Sequence, residues 1–574
     1  MRLFPLVLLV FAASANAADI DDLQSSYEFL VRDRADGGVL FKLPAADGGY
    51  TLPASFRDTP EYWGAYVCQM PSSFCAVTDA YDPPTYELVP QDGPAGYLQA
   101  ERVNVHNGAN IYDAATWQIA VMLGAVKNKF AVPGNDAYAL AANMNKIHRQ
   151  SGQAPRPNAA PGTKRATTVK TIFVYNGKII TDAKGAYAFR SIAPEWIARD
   201  PLMGTRYASF IKASGLPTDN PAYAPGKITW SDWKPITGEN AWAFLIGPLQ
   251  AAYIHHVIDE KKTAIPFDDL AIQNALDILP AFAALQSATG AVYYAPAGIT
   301  GNQGSETLNP HGVSVENNLS LYAGLKILRA TLQTASDSRA KEALRTTDVM
   351  INRLSSFFKN VAWHDGIFVQ GGLANDPAQK SDWVPTLEPR AVDVQTWAIA
   401  ALGTKQIDEW FGPGAAFELW QKTKTWGAYG VGKTLWGVGY SSQDGNGIDP
   451  SGSYKQGVMS AEWTAGAINA VRNMIGAYSN EPRYIASLKA DEAAMLQAVQ
   501  NLRFDKYQAT AFPGKPDNYA SLMGERTKPY LYASKRFAIP FGWYANPIPS
   551  TTSTAWMIML ANSYDPFGFG GKPN

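Results

Sequence analysis

Cysteine and histidine are scarce in this chain: 2 and 6 in 574 residues. Two cysteines without nearby histidine do not make a zinc site, and they are too few for a disulfide scaffold. Charge is also sparse, at 17% of residues, with 49 basic side chains against 50 acidic ones. That balance supplies no long-range field to gather nucleic acid or an anionic membrane, so neither is expected as a partner. Gly-rich phosphate loops, HExxH and GxSxG are missing, and no cofactor is implied. Beyond the first residues, no apolar run is long and uncharged enough to span a bilayer. What the chain has in quantity is apolar: 46% of residues are hydrophobic, including 16 Trp, 28 Tyr and 24 Phe. That is material for a large core, and for rings on which a flat ligand could stack.

The N-terminus reads as an address. Met1-Arg2 precedes an apolar run from Leu3 to Ala13, followed by Ser14-Ala15-Asn16-Ala17. One charge, a run too short to span a membrane and an Ala-x-Ala site predict a signal peptide over 1–17, cleaved near Ala17. The product is expected to be exported, periplasmic or secreted, without membrane insertion, and monomeric. Cys68 and Cys75 are close enough in sequence to close a small loop in an oxidising compartment.

Residues 18 to about 100 are rich in Gly, Pro, Asp and Tyr and predict loops and short elements wrapped on a larger body. Residues 150–235 read as an insertion; Thr167 to Ile180 alternates around Asn176-Gly177, a hairpin signal. Elsewhere one pattern recurs six times: a polar stretch runs into an apolar helix of small residues. The polar marks carry Asn107 and Asp113; Glu239 and Asn240; Glu316, Asn317 and Asn318; Asp393 and Gln395; Glu462; and Ser550 to Thr554. Between them lie amphipathic helix candidates, clearest at Asp268 to Ala284, Ser338 to Phe358 and Glu481 to Leu502. Helices apolar nearly all round must be buried. Six of them, each paired with a more polar partner, close naturally into an inner ring sheathed by outer helices.

In repeat count and in its acid-Asn-aromatic marks, the stretch from about 100 to 565 resembles the (α/α)6 toroid, or six-hairpin, glycosidase superfamily. The resemblance implies a mainly α protein of six inner and six outer helices: a toroid over 101–574 carrying the 150–235 insertion, behind the 18–100 extension. It implies also that the loops entering the inner helices gather at one end, with marks two and five opposed, and one and four. Acidic residues favour any first helical turn because they offset the partial positive charge there. Four in equivalent places, each followed by apolar residues, point beyond capping. Glycoside hydrolysis needs two carboxyl groups, one protonated and one ionised, on opposite sides of a bond. On this reading Glu239 is the general acid and Glu462 the general base, with Glu316 the substitute for either. The mechanism implied by the resemblance is inverting.

Trp233, Trp363, Trp436, Tyr440 and Trp543 precede the marks and could pack on the C–H face of a sugar. Asn107, Asn240, Asn317 and Gln395, with Asp113 and Asp393, could bind its hydroxyls. The expected partner is an oligo- or polysaccharide. Three other readings remain open: a lyase using Tyr112, His106, Asn107 and Arg390, an epimerase using a His pair, and a glycan-binding protein without activity. The run Asp444 to Asp449 resembles a fragment of a calcium loop, although a Gly-rich turn explains it equally.

Overall fold

The computed structural model describes residues 20–42, 50–57, 75–78, 85–88, 109–146, 172–175, 178–181, 191–192, 236–294, 311–333, 335–374, 383–507, 527–541 and 543–574. Each of the six marks opens a helix. The inner helices are Ile111–Val126, residues 237–259, Val315–Leu332, Val392–Leu402, Ala461–Ala477 and Thr551–Ala561.

Four of these starts are fixed by a side chain that accepts a first-turn N–H: Asn110 from Tyr112, Ser314 from Asn317, Ser460 from Trp463 and Ser550 from Ser553. The fourth helix is buried at every residue, and the sixth over Thr551 to Leu560, as helices without a polar face must be. Each inner helix packs on the next, and the sixth returns to the first, closing the ring. The second is not uniform: Trp242–Ile246 and Ile254–Asp259 are π-helical. Pro248 cannot donate a backbone N–H, which accounts for the wide turn just before it.

Outer helices cover the seams. Ser338–Phe357 lies on the third inner helix and buries Ala340, Ala343, Thr347, Met350, Leu354 and Phe357, a strict three-four spacing that leaves the other face to solvent. Leu270–Ala284, Ala415–Gly427 and Pro482–Val499 cover the second, fourth and fifth inner helices, and the short Ala137–Ala141 touches the first and second. The architecture is an (α/α)6 toroid.

One outer position is filled unexpectedly. Ile20–Val31, within the stretch read as loops and short elements, is a helix packed on the first and sixth inner helices. Tyr27, Phe29 and Leu30 are fully buried there, so this part of the expected extension completes the outer layer. The hairpin in the insertion forms, with Ile172–Tyr175 antiparallel to Lys178–Thr181 and Tyr175 opposite Lys178. Asn176 and Gly177, the expected turn, lie outside the described residues. So do residues 1–17 and Cys68, and of Cys75 only the strand backbone is described. No helix among the described residues is long and apolar enough to cross a membrane.

Short sheets dress the end where the inner helices begin. Gly312–Ser314, Gly371–Ala374 and Trp383–Thr386 form a three-stranded antiparallel sheet with 371–374 central. Its first strand runs directly into the third inner helix and delivers Glu316 to the mouth of the ring.

Candidate active site

Five inner helices place a carboxyl in their first turn: Asp113, Glu239, Glu316, Asp393 and Glu462. The sixth offers hydroxyls instead, at Thr551, Thr552 and Ser553. Asp113, Glu239, Asp393 and Glu462 are buried, and Glu316 is the most open of the five. All five thus stand at helix starts on the same end of the ring.

Glu462 accepts a 2.6 Å hydrogen bond from the Tyr112 hydroxyl, whose oxygen accepts in turn from the Trp556 indole at 3.3 Å. Burial pushes the Glu462 carboxyl up to about 8, and the charges of Asp113 and Glu316 add to the effect; the bond from Tyr112 opposes it. Asp393 is also raised, well above the usual carboxylate range. The cause is first burial, then the charges of Glu316 and Glu462, against a 2.7 Å bond from the Val394 N–H. Asp113 and Glu316 thus act on Glu462, and Glu316 and Glu462 act on Asp393.

Glu316 has different surroundings. One oxygen accepts from the Asn317 amide at 2.5 Å, and the other from the Ser320 hydroxyl at 2.9 Å. Two donors suit an ionised carboxylate. The Ser320 oxygen accepts from the Trp242 indole at 3.1 Å, so the second inner helix braces a carboxylate of the third. Asn317 also accepts the Gly238 N–H at 2.6 Å, which ties the first turn holding Glu239 to the turn holding Glu316.

Beneath the carboxyls lies an aromatic floor. Tyr112 sits edge-on to Trp242 at 5.0 Å and parallel to Trp397 at 6.1 Å. Phe567, from the segment after the sixth helix, packs on Trp242, Trp397 and Trp556 at 5.5, 5.2 and 6.2 Å. Tyr112, bonded to Glu462, ties this aromatic cluster to the carboxyls, of which burial raises Glu462 and Asp393.

Several residues singled out as sugar contacts have structural tasks. Gln395 is fully buried and clamps Phe368, donating to its carbonyl at 2.8 Å and accepting from its N–H at 3.0 Å. Tyr440 is fully buried against Trp463 and Tyr532, which leaves no ring face for a ligand. Asn240 donates to Ile236 O at the start of its own helix. Trp363 stacks on Phe411 at 4.0 Å, and Trp436 lies half-buried beside Tyr429. Asn107, Trp233 and the Trp543 side chain lie outside the described residues. Arg390 pairs with Glu388 at 2.8 Å. Asp444 accepts from Tyr440 N, Ser441 N and the Ser441 hydroxyl, while Asp449 accepts from Ser451 and Ser453. Both carboxylates cap their own turns, as expected of a Gly-rich loop.

Reasoning from sequence missed Trp242, Ser320, Trp397 and Trp556. For the first three a signal existed: each follows a marked carboxyl by three or four residues and so shares its helix face.

No protein-family model matches the chain, and no curated protein matches it. Among solved structures, the chain is similar to a D-mannose isomerase, with TM-score 0.43 and 10% identity over 95% of each chain. It is similar to a cellobiose 2-epimerase from Spirochaeta thermophila DSM 6192, with TM-score 0.38 and 13% identity over 79% of this chain and 85% of that one. A third is an unsaturated glucuronyl hydrolase from Bacillus sp. GL1, with TM-score 0.35 and 13% identity over 57% of this chain and 74% of that one.

Proposed function

We propose that the protein is an exported glycoside hydrolase acting on an oligo- or polysaccharide, with Glu462 as general acid and Glu316 as general base. The observation that carries this reading is the contrast between two carboxyls close enough for one to act on the other. Burial and neighbouring charge hold the proton on Glu462 to about pH 8, whereas Asn317 and Ser320 both donate to Glu316. The roles first assigned from the sequence thus change hands: Glu462 becomes the acid, and the base passes from it to Glu316. Glu239, bound into the Glu316 turn through Gly238 and Asn317, supports the base side.

The chemistry follows from these protonation states. Glu462 gives its proton to the glycosidic oxygen as the bond to the anomeric carbon breaks. Glu316 takes a proton from water as that water attacks the same carbon from the opposite face, which inverts its configuration. Glu462 ends ionised and Glu316 ends protonated. The Tyr112 hydroxyl favours the anionic form of Glu462, so its bond strengthens as the proton leaves. Asp393, whose carboxyl is raised first by burial, is a further candidate to hydrogen-bond a sugar hydroxyl. The half-buried Trp436 is a candidate for sugar contact further out.

The deciding experiment is a glycan panel with wild type, Glu462→Gln, Glu316→Gln and Glu239→Gln, products being followed by NMR. Glu462→Gln and Glu316→Gln should each lose on the order of 10²-fold or more while keeping the helical circular dichroism. An activity within a few-fold of wild type in both would remove the assignment. Isomerised, epimerised or unsaturated products would replace it with another sugar chemistry. Export near Ala17, a Cys68–Cys75 bridge and a monomeric state belong to the same proposal, tested by intact mass with and without reductant and by light scattering on the secreted product.

A further inference from the structure

We propose that His255, His256 and Glu260 form a binding site for a divalent transition metal such as zinc, at the pole opposite the carboxylates, with Lys262 as the resident competitor. The inference does not depend on the hydrolase reading. The three residues lie at the C-terminal end of the second inner helix, where Ile254–Asp259 is π-helical. They are the only group of three or more His, Cys, Asp or Glu among the described residues whose ligand atoms all lie within 4.8 Å of one another.

The distances suit coordination. His255 Nε2 lies 3.7 Å from one Glu260 oxygen, and His256 Nδ1 lies 2.6 Å from the other. A tetrahedral ion with bonds of about 2.0–2.1 Å holds its donors roughly 3.4 Å apart, so small side-chain adjustments complete the site. Three protein donors leave a fourth position for water.

The second imidazole is braced from outside the site. His256 Nε2 faces an oxygen of Asp269 at 3.0 Å, and that oxygen also accepts from the Tyr138 hydroxyl at 2.6 Å. His256 thus lies between two carboxylates, with Nδ1 toward Glu260, and a metal entering the site takes the place of a proton there. The Lys262 ammonium lies 2.8 Å from Glu260 and 3.4 Å from His256 Nδ1, where it competes with the metal for both. A carboxylate behind a histidine is also the usual outer support of a metal ligand, because it fixes the ring and raises its basicity. The Tyr138 ring stacks on His255 at 4.2 Å and 13°, holding the other imidazole in place. Asp136 and Asp259 add negative charge near His255, and the end of the helix adds more. Lys262 is about half exposed, at 47%, so it can swing into solvent when a metal arrives.

The test is calorimetric titration of chelator-stripped full-length protein with Zn²⁺, repeated on His255→Ala, Glu260→Gln and Lys262→Ala. His255 and Glu260 are partly exposed, and circular dichroism checks that their variants keep the fold. Wild type should bind one Zn²⁺ at this site and melt at higher temperature as the ion is added. His255→Ala and Glu260→Gln should each weaken binding at least tenfold, and Lys262→Ala should strengthen it several-fold. Absence of saturable binding by wild type below about 100 µM overturns the proposal, as does binding that survives unchanged in both His255→Ala and Glu260→Gln. Weaker binding in Lys262→Ala removes the competitor role.

Discussion

At Glu462 three influences oppose one: burial and the charges of Asp113 and Glu316 favour the protonated carboxyl, and the Tyr112 hydroxyl favours the anion. The two neighbours therefore make opposite predictions for the alkaline limb of the kcat/KM profile, where an acid that loses its proton stops working. Tyr112→Phe removes the hydrogen bond and should move that limb to higher pH. Asp113→Asn removes a repelling charge and should move it to lower pH. Profiles that shift in the same direction would rule Glu462 out as the acid.

The same group predicts a stability change. Its folded value of about 8 stands above its ordinary 4.5, so between those values the native state keeps a proton that the unfolded chain has released. Stability contributed by this group is therefore lost as pH rises through that window. The deficit is roughly 3 kcal/mol at pH 7. Glu462→Gln should unfold at higher urea than wild type at pH 7, and at the same urea at pH 4.5. The carboxyls were legible in the sequence because each sits beside a helix start in an otherwise apolar run. Their division of labour was not legible, because it depends on Tyr112, Ser320 and Asn317 meeting them across helices.

The inner helices were the most legible elements, since a polar cap followed by ten or more apolar residues admits few other structures. Ile20–Val31 was not, because its neighbours in sequence are rich in turn residues and its partners lie on the first and sixth inner helices, far along the chain. The π turns of the second helix also escape periodicity arguments. How tightly the ring is drawn is set by small residues. A Cβ on Gly247 would lie 2.7 Å from the Cα and the carbonyl oxygen of Ala115 on the first inner helix. Backbone cannot yield there as a flexible side chain could. Gly247→Ala should cost about 1–3 kcal/mol through overpacking, despite the better helix propensity of alanine. Urea denaturation followed by circular dichroism reads this directly, and an unchanged or higher midpoint would show that the two helices can separate at little cost.

A ring of six helices encloses a hole, and the whole molecule must fill it from somewhere. Side chains of the inner helices supply most of the filling, and the segment after the sixth helix supplies the rest. Gln250 donates to the carbonyls of Pro566 and Gly568 at 3.1 and 2.7 Å, and Asp565 accepts from Asn469 and Asn473 at 2.9 and 2.8 Å. Asn574 donates to Ala400 O at 2.9 Å. The segment is thus bonded to the second, fourth and fifth inner helices, with the fully buried Phe567 at its centre against Trp242, Trp397 and Trp556. Nothing local in this stretch announces that task, because its partners are spread over the preceding helices. Phe567→Ala should cost about 3–5 kcal/mol, the sum of lost burial and of a cavity that four separate elements cannot collapse together. Phe567→Leu, which keeps most of the volume, should cost less than about 1.5 kcal/mol. Both are read from urea midpoints. A loss below about 1 kcal/mol in Phe567→Ala would mean that the helices hold the ring closed without this segment, and that the aromatic floor beneath the carboxyls does not depend on it.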